Sequence, residues 1–179
     1  MKPTFITTPS TKRLPTHTLV IVVKEGTHLG TFASSLDRQY GGFIKAALKD
    51  NPRFTGDKDE TLLITSPKGC AATRIILMGV GDTKDVTEFE AYSWGGRALR
   101  LVQDTGEKAV TVVLDDMDNV AVAVGMAAGA QLKAYRFDTY KTDLTPEEKS
   151  THREIFIATV RKVKASAAFK RHAAIVAGM

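Results

Sequence analysis

The chain has 179 residues, 43% of them hydrophobic and 25% charged, with a net charge of +5 at neutral pH. That composition suits one sizeable globular domain, or a domain with appendages. No apolar run approaches the roughly 20 residues of a membrane-spanning helix, and a lone cysteine, Cys70, excludes a disulfide framework or a thiolate metal cluster. A reducing, cytoplasmic location is the default.

Residues 1–16 are rich in Thr, Pro and Lys and have no apolar centre, so they are not a secretory signal and read as a flexible leader. Thr18-Leu-Val-Ile-Val-Val23 is β-branched and almost wholly apolar, the pattern of a strand covered on both faces. Beyond the Gly26–Gly30 turn, Phe32, Leu36, Phe43, Ala47 and Leu48 recur at helical spacing up to Asn51-Pro52, where proline halts the helix. A polar turn at residues 56–60 then joins a short strand around Phe54 to a strand over Thr61–Thr65. Thr73–Met78 is the next strand, and it runs into Gly79-Val-Gly81-Asp82. A helix follows with Val86, Phe89, Tyr92, Leu99 and Val102. Its Gly95-Gly96 pair costs about 1–2 kcal/mol relative to alanine, which implies close approach to the sheet. Val110–Leu114 is a strand, residues 119–135 a helix, Arg153–Val160 a strand and Ala165–Ala177 an alanine-rich helix. Alternating strands and helices predict a three-layer α/β domain, its sheet mixed because of the hairpin near residues 54–65.

Several stretches invite a chemical reading. Gly79-x-Gly81 after a strand resembles a dinucleotide-binding turn, but Lys84 stands where the third glycine belongs, so a tight turn is preferred. Asp115, Asp116 and Asp118 lie at a strand end and could hold Mg²⁺ or Mn²⁺; helix capping by Asp118 or Asn119, with the other acids solvated, is preferred. His17, His28, His152 and His172 never fall at metal-binding spacing. No Gly-x-Ser-x-Gly elbow and no P-loop occurs. Cys70 reads as a small buried hydrophobe. Residue chemistry alone therefore exposes no catalytic site.

The positive charge is concentrated. Residues 153–179 carry Arg153, Arg161, Lys162, Lys164, Lys170 and Arg171 against Glu154 alone, while the rest of the chain is balanced. Such a patch can attract nucleic acid or an anionic surface; without a binding motif, a solvated helix face or a surface facing an acidic neighbour is preferred.

The most specific stretch is Gly125 to Lys141. Val120, Val124, Ala128, Leu132 and Tyr135 trace one apolar helical face, and Gly125 and Gly129, four apart, let the backbone press on a neighbour. Tyr135, Arg136, Phe137, Tyr140 and Lys141 then form an aromatic and basic cluster. Such a cluster can stack on bases or adenine, but its irregular spacing favours core or interdomain packing.

These features, in order, resemble the N-terminal domain of the leucyl aminopeptidases (the cytosol aminopeptidase family). The first strand, Arg74-Ile-Ile-Leu-Met-Gly-Val-Gly81, Gly95-Gly96-Arg97, the Gly125–Tyr135 helix and the Tyr135–Lys141 cluster carry the likeness from about Thr18 to the end. It implies a macro-domain-like fold with a mixed, mostly parallel sheet between helices over residues 17–164. Residues 165–179 resemble the start of the helix that leads into the family's catalytic domain, and the apolar ending suggests a truncated chain. In the family the catalytic half binds two divalent metals (Zn, Mn or Mg), releases N-terminal residues such as leucine, and forms the centre of a hexamer. Its signature, Asn-Thr-Asp-Ala-Glu-Gly-Arg, does not occur here, so no catalytic or metal-binding role transfers to any residue. The resemblance implies a non-catalytic domain serving assembly and active-site access, with its own catalytic domain and hexamer neighbours as partners. A stand-alone module binding a nucleotide such as ADP-ribose, or a nucleic-acid-binding domain using the basic stretch, are the alternatives.

Overall fold

The computed structural model describes the backbone at residues 2–103, 105–117, 119–140 and 154–177, with side chains throughout except at 135–140 and 172–177. Six strands form one sheet: β1 (Thr4–Ile6), β2 (Thr18–Val23), β3 (Thr61–Thr65), β4 (Arg74–Gly79), β5 (Ala109–Val113) and β6 (Glu154–Ala158). Their order is β1-β6-β5-β2-β4-β3, and every neighbouring pair is parallel except β3 with β4. Helices α1 (Thr31–Gln39) and α2 (Phe43–Asp50) cover one face. The other carries α3 (Glu88–Val102), α4 (Val120–Tyr140) and α5 (Lys162–Ala177). This is the three-layer α/β architecture with a mixed, mostly parallel sheet.

Alternation along the strands builds two cores. Leu19, Ile21 and Val23 of β2 and Ile75 and Leu77 of β4 face α1 and α2, packing with Phe32, Leu36 and Ile44. Val20, Val22, Ile76, Met78, Val110, Val112, Ile155 and Ile157 face the other way, against Trp94, Leu99, Met126 and Phe169. All six residues of β2 are buried, as the apolar run requires of a central strand. Fully burying one such side chain stabilises the fold by roughly 1.5–3 kcal/mol. Helix α4 buries Ala123, Met126, Ala127 and Ala130 completely, because it lies between α3, α5 and the sheet.

Glycines set the spacing of α3 and α4. A Cβ at Gly95 would fall on the Met126 carbonyl oxygen, and one at Gly129 on the Tyr92 carbonyl oxygen. A Cβ at Gly125 would come within 2.8 Å of the Ala91 methyl. The close approach expected of Gly125 and Gly129 is therefore real. Gly95 also serves a close approach, but to helix α4 rather than to the sheet.

Four other expectations need correction. Thr4–Ile6 is not a flexible leader: it pairs in parallel with Phe156–Ala158, and Phe5 packs edge-on against Phe169 at 5.6 Å between ring centres. The helix expected from Phe32 to Leu48 is two helices, broken at Gly41 and Gly42 with φ of 83° and 78°. The antiparallel pair is β3 with β4, not a hairpin reaching back to Phe54. Phe54 is a buried loop residue there, its N donating to Asn51 O at 3.0 Å. Finally, the stretch read as a connecting helix from residue 165 starts at Lys162, and Ala165 and Phe169 anchor it in the core.

Candidate functional site

In open α/β sheets ligands gather at the carboxyl ends of the strands. Here that end is occupied by the protein itself. Helix α1 begins at Gly30, which has no side chain to cap it, so its first amides need acceptors from elsewhere. Asp115, just beyond β5, supplies them: Phe32 N donates to its Oδ1 and Ala33 N to its Oδ2, both at 2.8 Å. Thr31 N donates to Asp116 Oδ2 at 3.0 Å. Asp115 is 7% exposed, and a Cβ at Gly30 would collide with its carboxylate. Burial raises the Asp115 pKa above its ordinary value, opposed by the two amides; Asp116 raises it further and Lys24 lowers it.

Asp115 and Asp116 thus cap a helix, the first buried and the second exposed, and the helix is α1, not the one that follows them; Asp118 lies outside the described residues. Helix α4 takes its cap from Asn119, whose side chain accepts from Ala121 N at 2.9 Å. Among the described residues, no three His, Cys, Asp or Glu side chains are grouped to hold a metal ion.

The Gly79-Val-Gly81 turn is likewise filled from within. A Cβ at Gly79 would strike the Asp57 carbonyl oxygen, Gly81 N donates to Gly56 O at 3.0 Å, and Gly81 has φ of 75°. The tight-turn reading holds: these glycines admit the 55–58 loop.

Arg97 on α3 fastens the same region. Its guanidinium donates to Gly79 O at 2.7 Å and Glu60 O at 2.6 Å, and lies 3.7 Å from the Asp59 carboxylate. Burial lowers its pKa, Asp59 raises it, and neighbouring Arg100 lowers it. Lys58 pairs with Glu90 at 2.6 Å, and Glu90 closes a capping box with Thr87 at the start of α3. The Lys58 bond, with those from Thr87, holds Glu90 down to about 2.

Arg97 enters the sequence reading only as part of a motif, and Lys58, Arg100 and Lys133 do not enter it at all. The available signal was Ser93, Arg97 and Arg100 at helical spacing; nothing local joins them to residues 58 and 133. The cluster of Tyr135, Arg136, Phe137, Tyr140 and Lys141 lies outside the described side chains, although α4 runs to Tyr140. His17 Nδ1 meets Ala71 O at 2.9 Å, at the opposite end of the sheet. Cys70 is half-buried against the α1–α2 core. Lys162, Lys164, Lys170 and Arg171 are exposed along α5.

Residues 20–144 match the model of the cytosol aminopeptidase family, N-terminal domain. The chain belongs to that family. It is 35% identical over 161 residues to a probable cytosol aminopeptidase of Caulobacter vibrioides, an alignment covering 89% of this chain and 32% of the relative. Among solved structures it is similar to a mutant of tomato leucine aminopeptidase, with a TM-score of 0.68 and 18% identity over 93% of this chain and 35% of that one. It is also similar in fold to a Trypanosoma brucei macrodomain in complex with ADP, with a TM-score of 0.62 and 10% identity over 93% of this chain and 66% of that one. The macro-domain-like fold is therefore established for this cytosol aminopeptidase N-terminal domain. The chain spans about a third of the length of the curated relatives it matches.

Proposed function

We propose that this chain is the non-catalytic N-terminal domain of a cytoplasmic metallo-aminopeptidase that releases N-terminal residues such as leucine from peptides. Its role is assembly of the oligomer and control of access to the active site. The observation that carries this reading is the match of residues 20–144 to the family's N-terminal domain, in a chain one third as long as its relatives. In this reading residues 17–164 are the domain proper and residues 165–179, within and beyond helix α5, lead toward the catalytic half. The two divalent metals (Zn, Mn or Mg) are assigned to the parent's catalytic half, because the family signature that accompanies them does not occur in these 179 residues. The partners are the parent's own catalytic domain and its hexamer neighbours. No described helix is long and apolar enough to cross a membrane.

A nucleotide-binding module is less well supported. The carboxyl ends of the strands, where a phosphate would meet the first amides of α1, already hold the Asp115 carboxylate.

The test is an assay of the purified 179-residue chain on leucine amide with manganese. The expected result is no hydrolysis above a chelator-treated control; hydrolysis removed by the chelator would overturn the non-catalytic assignment. An antibody against this domain should detect a native species much larger than the chain itself. A native species of the chain's own size would overturn the parent-enzyme reading.

A further inference from the structure

A cleft with a volume of about 370 Å³ opens between α3, α4 and the 57–60 loop. Lys58, Arg97, Arg100 and Lys133 line it against Asp59 and Glu90, an excess of two positive charges. Glu90 is taken up by Lys58 and by Thr87, and Asp59 stands beside Arg97. Arg97 is fixed by two backbone carbonyls and cannot swing away. The Arg100 and Lys133 side chains have no hydrogen-bond or ion-pair partner among the described residues. The Arg100 charge bears on that of Arg97, an arrangement that an anion between them would relieve.

Gly96 is the second, independent observation. A glycine inside a helix is disfavoured by about 1 kcal/mol relative to alanine, so it needs a reason. Gly95, Gly125 and Gly129 have one in the contact between α3 and α4. Gly96 does not: a Cβ there would meet the Gly129 oxygen at 3.7 Å and the Lys133 Cβ at 3.8 Å, which are ordinary contacts. Its missing side chain instead leaves the wall of the cleft bare between Arg97 and Lys133.

We propose that this cleft binds a phosphomonoester dianion, with Arg100 and Lys133 as the contacting cations, Arg97 as a fixed charge in the wall, and Gly96 giving the oxygens access. Two cations without a partner among the described residues, and a held guanidinium, match the charge of about −1.5 to −2 on such a group at neutral pH. The cavity is of small-ligand size. The inference stands on this domain's geometry and not on the parent's peptidase activity.

The experiment is calorimetric titration of the 179-residue chain with inorganic phosphate at constant ionic strength, maintained with chloride. Saturable binding with a Kd on the order of 1 mM is expected, and an Arg100→Gln, Lys133→Gln double variant should bind at least about ten-fold more weakly. The Gly96→Ala variant gives the sharper readout: it should melt at a higher temperature than the parent chain while binding phosphate about five-fold more weakly. A purely structural role for Gly96 predicts a lower melting temperature with binding unchanged, and that result overturns the proposal. So does the absence of saturable binding, or binding unaffected in the folded double variant. A sugar phosphate and a phosphoserine peptide, titrated in parallel, distinguish the sources. Tighter binding of either than of inorganic phosphate upholds the proposal and tells a metabolite from a modified protein.

Discussion

The two faces of the sheet are assembled by opposite means. On one, α3 and α4 meet backbone to backbone, and the contact depends on side chains that are missing at Gly95, Gly125 and Gly129. On the other, α1 and α2 are placed by side chains that arrive from outside each helix. Gly30 and Gly42 occupy their N-cap positions and make no side-chain bond there. Asp115 caps α1 from beyond β5. Asp37, within α1, caps α2 by accepting from Ile44 N at 2.7 Å and Lys45 N at 3.2 Å. A helix pair held by bare backbone tolerates no added atom, whereas one held by distant carboxylates tolerates no lost acceptor. The first depends on shape and the second on polar satisfaction.

That contrast can be broken at either side. Gly129→Ala and Gly95→Ala should be the most damaging changes, each lowering stability by about 3 kcal/mol, because the new methyl meets a carbonyl oxygen rather than a yielding side chain. Chemical denaturation would measure it, and a loss below about 1 kcal/mol would mean that the two helices can separate without penalty. Asp115→Ala should cost about 2 kcal/mol by leaving buried amides unpaired. Asp115→Asn should recover only part of this, since its amide nitrogen would face a donor.

The pH dependence divides the regions again. Glu90 has a folded pKa of about 2, depressed from its ordinary 4.5, so its contribution is complete above pH 4.5 and is lost as pH falls toward 2. Asp115 has the opposite sign: its pKa is raised, so stability falls as pH rises from 3.8 through the folded value. Glu90→Gln should flatten the acid side of the melting profile between pH 4.5 and 2, and an unaltered profile would remove Glu90 from the account. The smallest effect is expected at Gly96→Ala, a gain of about 0.5–1 kcal/mol, which sharpens the comparison because its neighbour Gly95 gives a loss.

Much of this fold was legible in the chain. Val20 and Val22 alternate with Leu19 and Ile21, and the β-branched runs mark β2, β4, β5 and β6 within a residue or two. Gly125 and Gly129 announced their close contact by spacing alone. The break at Gly41 was hidden because Leu36 and Phe43 are seven residues apart: both helices lie on the same sheet face, so one periodicity runs through the gap. Strand β1 was hidden by its brevity. The cap from Asp115 was unreadable, since its partners Phe32 and Ala33 lie more than eighty residues away. The same distance problem conceals the cleft, where Lys58 and Lys133 flank an arginine pair on α3.

The pairing of β1 with β6 also bears on how the chain is made. Thr4 leaves the ribosome well ahead of its partner Phe156, with β2 to β5 made between them. At about 5–20 residues per second, β1 waits on the order of ten seconds with Phe5 uncovered. Phe169, which closes over Phe5, arrives later still. Cotranslational folding can complete the sheet from β2 to β5, but its β1 edge closes only once β6 is out. A nascent chain stalled before residue 154 therefore holds a folded centre and an unpaired β5 edge open to other chains.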